Sequence, residues 1–295
     1  MNLTEEGERC KKQAIYHIKK EKNSTMDMQK IFIEDERLQA LATTGLSPFH
    51  ISGDFTSLVQ NTAEQFRFFA EEPLSYKKQW SVDDGQADPD NGFIIRAGET
   101  KDDNSTYDEK TVLHYRPHLR GSLEKRGVDT HKHFALLVYL DNLLRYCVEA
   151  GIAISRRLDE LFPHEHFHLA DQVAASNEHV IRLLHYPAVS NLEVKKVEDP
   201  MADVHLDRDY LTLSVYESQP GFSAGDSLEY DHNYQLDSLL AFFGIKAEMH
   251  TQGKLRAVKH YVRRLTANDR IAIVAFIHIP IPQAAVMEWK KKNNK

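Results

Sequence analysis

The second half of the chain consists of short runs in which apolar and polar residues alternate, the pattern of strands with one buried face. Residues 211–216, of sequence LTLSVY, show this alternation most clearly. From about residue 178 onward the pattern predicts at least six strands, at residues 180–186, 204–207, 211–216, 238–244, 257–262 and 271–279. The second half is therefore predicted to be built mainly from β-sheet.

The first half has a helical period instead, with apolar residues recurring every three or four positions. The longest such run covers residues 134–161, with Thr130 as a candidate N-cap and Pro163 beyond its end. It predicts a scaffold helix packed against the sheet. Further elements are predicted as follows: a short strand at 29–33, helices at 36–43 and 55–71, and a surface helix or loosely held arm at 5–22.

Between residues 81 and 111 the apolar content falls, and glycine, proline and acidic residues accumulate. This composition predicts a long loop region, which is a candidate cover for a functional site. The chain shows no internal repeat.

Composition indicates a soluble enzyme rather than a binder of nucleic acid. The 295 residues carry a net charge of −7, and the basic residues are interspersed with acidic ones. A nucleic-acid partner would require a basic face. The lysines at 290–295 are expected to form a solvated tail.

Cys10 and Cys147 lie far apart in the sequence, so both are expected to be free thiols in a reducing compartment. No apolar run approaches the ~18 residues of a membrane span, and the polar first 22 residues lack the apolar run of a signal peptide. These features predict a cytoplasmic protein without a membrane partner.

Candidate chemistry lies in the strand-rich half. His205 and Asp207 are two positions apart, so on a strand both side chains leave the same face. With His260 from another strand they would supply two imidazoles and one carboxylate, a set that leaves the opposite face of a non-haem Fe(II) ion open. Arg270 begins the last apolar run, where a buried guanidinium would need a carboxylate partner that a bound dicarboxylate would provide.

The surroundings of these residues form a longer pattern. Leu-Thr-Leu follows the His-x-Asp at 211–213, and Gly-x-x-x-x-Val-x-His-x-Val surrounds His260 at 253–262, with Arg270 ten residues beyond that histidine. This pattern resembles the isopenicillin-N-synthase-like branch of the Fe(II)/2-oxoglutarate-dependent dioxygenases. Weaker matches at 45–53, 68–77 and 180–187 extend the resemblance over most of residues 29–280.

The resemblance implies an α+β fold with a double-stranded β-helix, or jelly-roll, core and flanking helices. It implies a single domain, 1–295, in which a helical and loop-rich part (1–175) precedes a core (176–282) that carries the metal site. Fe(II) would bind to His205, Asp207 and His260. Arg270 and Tyr186 would bind 2-oxoglutarate, whose oxidative decarboxylation would be coupled to oxidation of a small-molecule substrate by O₂.

Two positions depart from the family pattern, and both remove a polar group. The family has Arg-x-Ser where this chain has Ala272, and often an asparagine where it has Leu184. An oxidase of the same fold that uses Fe(II) and O₂ without 2-oxoglutarate is therefore a second hypothesis. A third is a non-catalytic protein of this fold that binds a small acid, since fold alone does not determine function.

Three alternating histidines at 164–168 form a second potential metal motif. They follow Pro163 and precede polar residues, so an exposed loop or a short edge strand is the preferred interpretation.

Overall fold

The computed structural model describes residues 31–82, 91–94, 110–188, 200–225, 230–231, 235–263 and 268–293. Within these ranges the chain is a mixed α+β structure with antiparallel sheets. The predicted arm at 5–22, with Cys10, and residues 294–295 of the predicted lysine tail lie outside these ranges.

Eight α-helices are present in the described residues. They are α1 (Asp35–Thr44), α2 (Gly53–Ala70), α3 (Leu74–Lys77), α4 (Leu119–Lys125), α5 (Phe134–Leu161), α6 (Leu169–Ala175), α7 (Ile245–His250) and α8 (Gln283–Lys292). No helix in the described part of the chain has the length and apolar character needed to cross a membrane.

Thirteen strands are described, several of them very short. They are β1 (Ile31–Phe32), β2 (Leu46–Ile51), β3 (Ser81–Val82), β4 (Asn91–Phe93), β5 (Thr111–Tyr115), β6 (Val180–Tyr186), β7 (Pro200–His205), β8 (Leu211–Glu217), β9 (Phe222–Ala224), β10 (Tyr230–Asp231), β11 (Ser238–Phe243), β12 (His260–Arg263) and β13 (Arg270–Ile277).

The strands form two sheets. In the described residues the larger sheet has the order β1-β2-β11-β8-β13-β6-β5-β4-β3 and the smaller one has the order β10-β9-β12-β7. All described strand pairs are antiparallel. The larger sheet therefore draws on both halves of the sequence, whereas the smaller sheet comes from the second half alone.

Helices α2 and α5 pack on one face of the larger sheet, against β13, β6 and β8. The odd-numbered residues of β13, from Ile271 to Ile277, enter this core together with the apolar stripe of α5. Gly151 of α5 allows close contact, because a Cβ there would lie 2.9 Å from the Ile277 side chain. Burial of this stripe explains why the helical period in residues 134–161 is so regular.

The opposite face of the larger sheet meets the smaller sheet. A second apolar cluster fills this space, with Phe222 and Ala224 from β9 packed against Leu240 and Phe242 from β11. The even-numbered residues of β13, beginning with Arg270 and Ala272, share this inner face, since side chains alternate along a strand. Arg270 and Ala272 therefore face the space between the two sheets.

Most of the predicted elements are confirmed. The strand at 180–186 and the helix at 134–161 have the predicted bounds, and the helices at 36–43 and 55–71 are each within two residues of α1 and α2. Cys147 is a buried free cysteine. Gly45, with φ of 82°, ends α1 by donating its backbone N–H to Leu41, as expected of a left-handed C-cap glycine.

Three features differ from the prediction. The sequence predicts a long loop region between residues 81 and 111. The described residues of this region instead include the strands β3 and β4 and the first residue of β5. Thr130 precedes a 3-10 turn at His131–His133 rather than α5 itself, and its side chain makes no capping hydrogen bond. Lysines 290–292 extend helix α8, whose buried Val286 anchors it, instead of forming a tail.

Candidate metal centre

The register between β7 and β12 brings the two candidate histidines together. His205 is the last residue of β7, His260 is the first residue of β12, and the two are direct partners across the pair. Their ring centroids lie 4.2 Å apart. Two histidines distant in sequence thus become neighbours because their strands are adjacent in the smaller sheet.

Asp207 completes the group from just beyond the end of β7. Its carboxylate oxygens lie 3.5 Å from Nε2 of His205 and 3.7 Å from Nε2 of His260. One ligand atom from each of the three residues lies within 4.8 Å of the others, and in the described residues this is the group with metal-ligand geometry. Two imidazole nitrogens and one carboxylate fit a divalent transition metal such as Fe(II).

His260 is held rigidly in the orientation that a ligand requires. Its Nδ1–H donates to the backbone carbonyl of Val258 at 3.2 Å, so the lone pair of Nε2 is left to face Asp207. Phe222 and Phe242 flank the ring at centroid distances of 5.3 and 4.8 Å. Burial lowers the pKa of His260, with a partly compensating effect of Asp207.

The two histidines differ in their access to solvent. The side chain of His260 is 6% exposed and that of His205 is 42% exposed. The centre is therefore closed on the His260 side, toward the space between the sheets, and open on the His205 side.

Thr212 and Asp209 support the Asp207 carboxylate from behind. The hydroxyl of Thr212 donates to Asp207 Oδ2 at 2.7 Å and lies 3.0 Å from Asp209 Oδ2. Burial alone would raise the pKa of Asp207, but His260, His205 and the hydrogen bonds lower it below its usual range. Burial and the charge of Asp207 hold the pKa of Asp209 well above its usual range.

The single hydrogen of the Thr212 hydroxyl can go to only one of the two carboxyl groups at a time. When Thr212 donates to Asp207, a proton on Asp209 lets Asp209 donate to Thr212 in turn, in agreement with the raised pKa of Asp209. Neither Thr212 nor Asp209 was identified from the sequence. Both are visible in the sequence, since Asp209 lies two residues after Asp207 and Thr212 is the first polar residue of the strand that follows.

Arg270, the first residue of β13, lies on the inner face of the larger sheet. Its side chain is 4% exposed. It is the direct cross-strand partner of Tyr186, and its guanidinium carbon lies 5.5 Å from the centroid of the Tyr186 ring. The Arg270 Nε–H donates to the carbonyl of Gln219 at 3.2 Å, whereas Nη1 is buried without a hydrogen-bond partner in the described residues.

The carboxylate partner of Arg270 is Glu217. Arg270 Nη2 lies 3.2 Å from Glu217 Oε2, and the two side chains are 4% and 3% exposed. We expected a bound dicarboxylate to fill this role, and the protein provides a carboxylate of its own. Ser214 also reaches Glu217, with its hydroxyl 3.5 Å from Oε1.

A β-bulge explains why Glu217 was missed. Simple alternation from Thr212 and Ser214 would put Tyr216 on the inner face and Glu217 on the helical face. The register between β13 and β8 shifts at this point, so that Val274 pairs with Ser214, Ile273 pairs with Tyr216, and Val215 is skipped. A bulge of this kind reverses the side-chain alternation beyond it, which turns Glu217 inward, directly opposite Ala272.

The histidines at 164–168 take no part in the centre. His164, His166 and His168 are exposed in the turn between α5 and α6, and His166 and His168 have positive φ angles of 51° and 53°. The prediction of an exposed loop is confirmed.

Known proteins resemble this chain in structure rather than in sequence. No family model matches the sequence, and no curated protein matches it. Among solved structures, a protein from Shewanella oneidensis named "putative oxygenase" superposes with a TM-score of 0.66 at 16% identity, covering 92% of this chain and 97% of that protein.

Two further structures carry more descriptive names. The dioxygenase for auxin oxidation 1 of Arabidopsis thaliana, in its 2-oxoglutarate complex, has a TM-score of 0.64 at 17% identity and covers 83% of this chain and 87% of its own. A protein from Caulobacter crescentus named "putative 2OG-Fe(II) oxygenase family protein" has a TM-score of 0.60 at 19% identity and covers 83% of this chain and 81% of its own. The chain has the fold of the Fe(II)/2-oxoglutarate-dependent oxygenases.

The resemblance inferred from the sequence motifs is thus confirmed for the fold. Identities of 16–19% carry no information about substrate.

Proposed function

We propose that this chain is a non-haem Fe(II) oxygenase that couples oxidative decarboxylation of 2-oxoglutarate to oxidation, most simply hydroxylation, of a small molecule by O₂. The observation that supports it is the convergence of His205, Asp207 and His260 within 4.8 Å, between the two sheets, where Arg270 also lies. Three ligands on one side leave positions on the other side for cosubstrate and O₂.

Each residue of the centre has a defined task in this proposal. His205, Asp207 and His260 bind Fe(II), which when bound supplies the redox chemistry that O₂ activation requires. Thr212 keeps the Asp207 carboxylate oriented through its 2.7 Å hydrogen bond. Phe222 and Phe242 exclude water from the His260 side, which protects the reaction from competing solvent.

Arg270 and Tyr186 are the proposed binding residues for the cosubstrate. The unpartnered Nη1 of Arg270 is a buried donor suited to a carboxylate. The phenol of Tyr186, directly opposite Arg270 in register, would donate to the same group.

We also propose that the two sheets form the double-stranded β-helix expected from the resemblance, within a single domain whose core is 176–282. The inner apolar cluster and the metal ligands both lie between the sheets, as a jelly roll with its site between two sheets would require.

The test is succinate formation from 2-oxoglutarate by the iron-loaded protein, with mass spectrometry of candidate substrates for a product heavier by one oxygen atom. The wild type should form succinate only with both Fe(II) and O₂. The Asp207→Ala variant should lose this activity, and His164→Ala, at an exposed histidine outside the centre, should retain it. Succinate formation by Asp207→Ala at the wild-type rate would refute the assignment.

One observation favours the second candidate, an Fe(II) oxidase that does not use 2-oxoglutarate. Glu217 already faces Arg270, while Ala272 and Leu184 provide no polar group for a dicarboxylate. Fe(II) binding without any spectral response to millimolar 2-oxoglutarate would favour this candidate. Absence of Fe(II) binding would instead leave the non-catalytic hypothesis.

A further inference from the structure

The Glu217–Arg270 pair lies in the part of the pocket where the proposed function requires a cosubstrate carboxylate, and the inference drawn from it rests on that function. Both side chains are nine-tenths or more buried, and they lie 3.2 Å apart at Nη2 and Oε2. In the described residues Arg270 Nη1 has no hydrogen-bond partner, and Glu217 Oε2 makes no hydrogen bond beyond its ion pair with Arg270 Nη2.

The bulge at Val215 places Glu217 directly opposite Ala272 on the neighbouring strand. Ala272 is the position at which the family pattern has a serine, and therefore a hydroxyl donor. The carboxyl group of Glu217 therefore lies beside the space that this hydroxyl would otherwise occupy. A carboxyl group can donate a hydrogen bond only when it is protonated.

Charge in the pocket decides what can bind. One guanidinium and one carboxylate are neutral together, whereas a second carboxylate would add a net negative charge beside a buried pair. Two carboxylates that share a buried site cannot easily both be ionised. A proton on Glu217 removes the excess charge and creates an O–H donor at the same time.

We propose that Glu217 is a specificity-determining residue of the anion pocket, which admits the cosubstrate carboxylate to Arg270 only when Glu217 is protonated and then donates its O–H to that carboxylate. The proton comes from solvent, so one proton is taken up for each cosubstrate molecule bound. When Glu217 is ionised, it remains paired with Arg270, and the cosubstrate carboxylate does not bind.

The environment of Glu217 agrees with this role. Burial raises the pKa of Glu217, and Arg270 and a hydrogen bond from Ser214 offset part of that rise. In the described residues Arg270, from β13, is the charged group that faces Glu217. The ring of Tyr186, from β6, contacts the Arg270 guanidinium. The ammonium group of Lys110 lies 5.5 Å from the centroid of the same ring.

The experiment measures the dissociation constant of 2-oxoglutarate for the Fe(II)-loaded protein, without O₂, between pH 6 and 8.5. Calorimetry in buffers of different ionisation enthalpy counts the protons taken up. Because the protein is loaded with metal before titration, competition between protons and metal for the histidines does not enter the measurement. The wild type should bind up to ~10-fold more weakly for each pH unit above the pKa of free Glu217, with uptake approaching one proton.

The decisive variant is Glu217→Gln, which keeps the size of the side chain and an N–H donor but cannot ionise. It should bind 2-oxoglutarate with an affinity that does not depend on pH, and at pH 8.5 at least ~10-fold more tightly than the wild type. Glu165→Gln, at an exposed carboxylate paired with Lys254, is the matched control and should behave as the wild type does.

Wild-type binding that is independent of pH, or a Glu217→Gln variant with the same pH dependence as the wild type, would overturn the role of Glu217 while leaving the proposed function intact. A different result would overturn both: Fe(II) bound normally, but no 2-oxoglutarate bound by either protein at any pH. Circular dichroism and Fe(II) titration establish that each variant is folded and loaded.

Discussion

His205 and His260 are direct partners in the β7–β12 ladder, with ring centroids 4.2 Å apart. The candidate metal centre therefore depends on strand register as much as on sequence. A slip of one residue in this pair would turn one imidazole to the other face of the sheet, and the group would be lost without any change in composition.

We expect the protein to bind one Fe(II) per chain and His260→Ala to abolish tight binding. The reason is that His260 supplies the most buried ligand nitrogen of the group, and the remaining two ligands hold a metal poorly. Anaerobic titration measures the stoichiometry and affinity. His168→Ala, which removes an exposed histidine outside the centre, should leave both unchanged. Equal affinity in the two variants would show that the metal binds elsewhere.

Thr212→Val should weaken Fe(II) binding by ~10–100-fold, the usual cost of losing a residue that orients a ligand. Valine has nearly the shape of threonine but cannot donate to Asp207, and it also breaks the contact with Asp209. Thr62→Val is the matched control, since that hydroxyl is buried in α2 and bonds to Leu58 within the helix. If both variants keep wild-type affinity, Thr212 does not position Asp207.

Some residues of the candidate site can be identified from the sequence, and others cannot. His205, Asp207, His260 and Arg270 were identified because ligand chemistry restricts which residues can serve and the flanking strands have a regular period. Glu217 was not, because a bulge at Val215 reverses the alternation beyond it, and alternation is what sequence analysis relies on. Bulges depend on the fit between neighbouring strands, which a local pattern does not contain.

The same reasoning applies to the fold. Helix α5 and strand β6 were predicted with their bounds, since each buries a long apolar stripe of the appropriate period. The pairing of β2 with β11, which joins the two halves of the chain, was not predicted. Pairing between distant strands is set by packing of the whole sheet, and the periodicity of each strand alone does not specify it.

Arg270→Lys should weaken 2-oxoglutarate binding by ~10–100-fold, because an ammonium cannot replace the parallel donors of a guanidinium, and one hydrogen bond to a charged group contributes ~1.5–3 kcal/mol. The measurement is the anaerobic spectral titration of the iron-loaded protein. Arg157→Lys changes an exposed arginine paired with Glu160 and Asp35 and should have no effect. An unchanged affinity in Arg270→Lys would mean that the anion binds elsewhere.

The protein should lose stability as the pH falls from 7 to 5, and His179 should account for part of the loss. Burial lowers the pKa of His179 below its ordinary value of 6.5, and its Nδ1 accepts a hydrogen bond from the backbone N–H of His278 at 3.1 Å. Below pH 6.5 the unfolded state takes up a proton that the folded state resists, so the free energy of unfolding decreases until the pH passes the lowered pKa.

His179→Asn tests this explanation, because the amide oxygen can accept the same hydrogen bond but does not titrate. Urea denaturation at pH 7 and pH 5 should show a smaller loss of stability in this variant than in the wild type. His164→Asn, at an exposed histidine, should show the full loss. An equal loss in all three proteins would assign the pH dependence to other groups.

Ala272→Ser should change 2-oxoglutarate affinity by much less than the ~10-fold that a new hydrogen bond of ~1.4 kcal/mol would give. Ala272 lies directly opposite Glu217, whose Oε2 makes no hydrogen bond in the described residues beyond its ion pair with Arg270 Nη2. A serine hydroxyl would therefore donate to Glu217 in the free protein and would have to give up that bond to serve the cosubstrate. The free energy that the serine gains by bonding to the cosubstrate is largely offset by the loss of its hydrogen bond to Glu217.

Ala275→Ser is the control. It adds a hydroxyl on the helical face of the same strand, where Ala275 is fully buried, and should lower stability without changing affinity. A tenfold tightening in Ala272→Ser alone would show that the hydroxyl has no partner before the anion arrives, and that Glu217 does not lie where the strand register puts it.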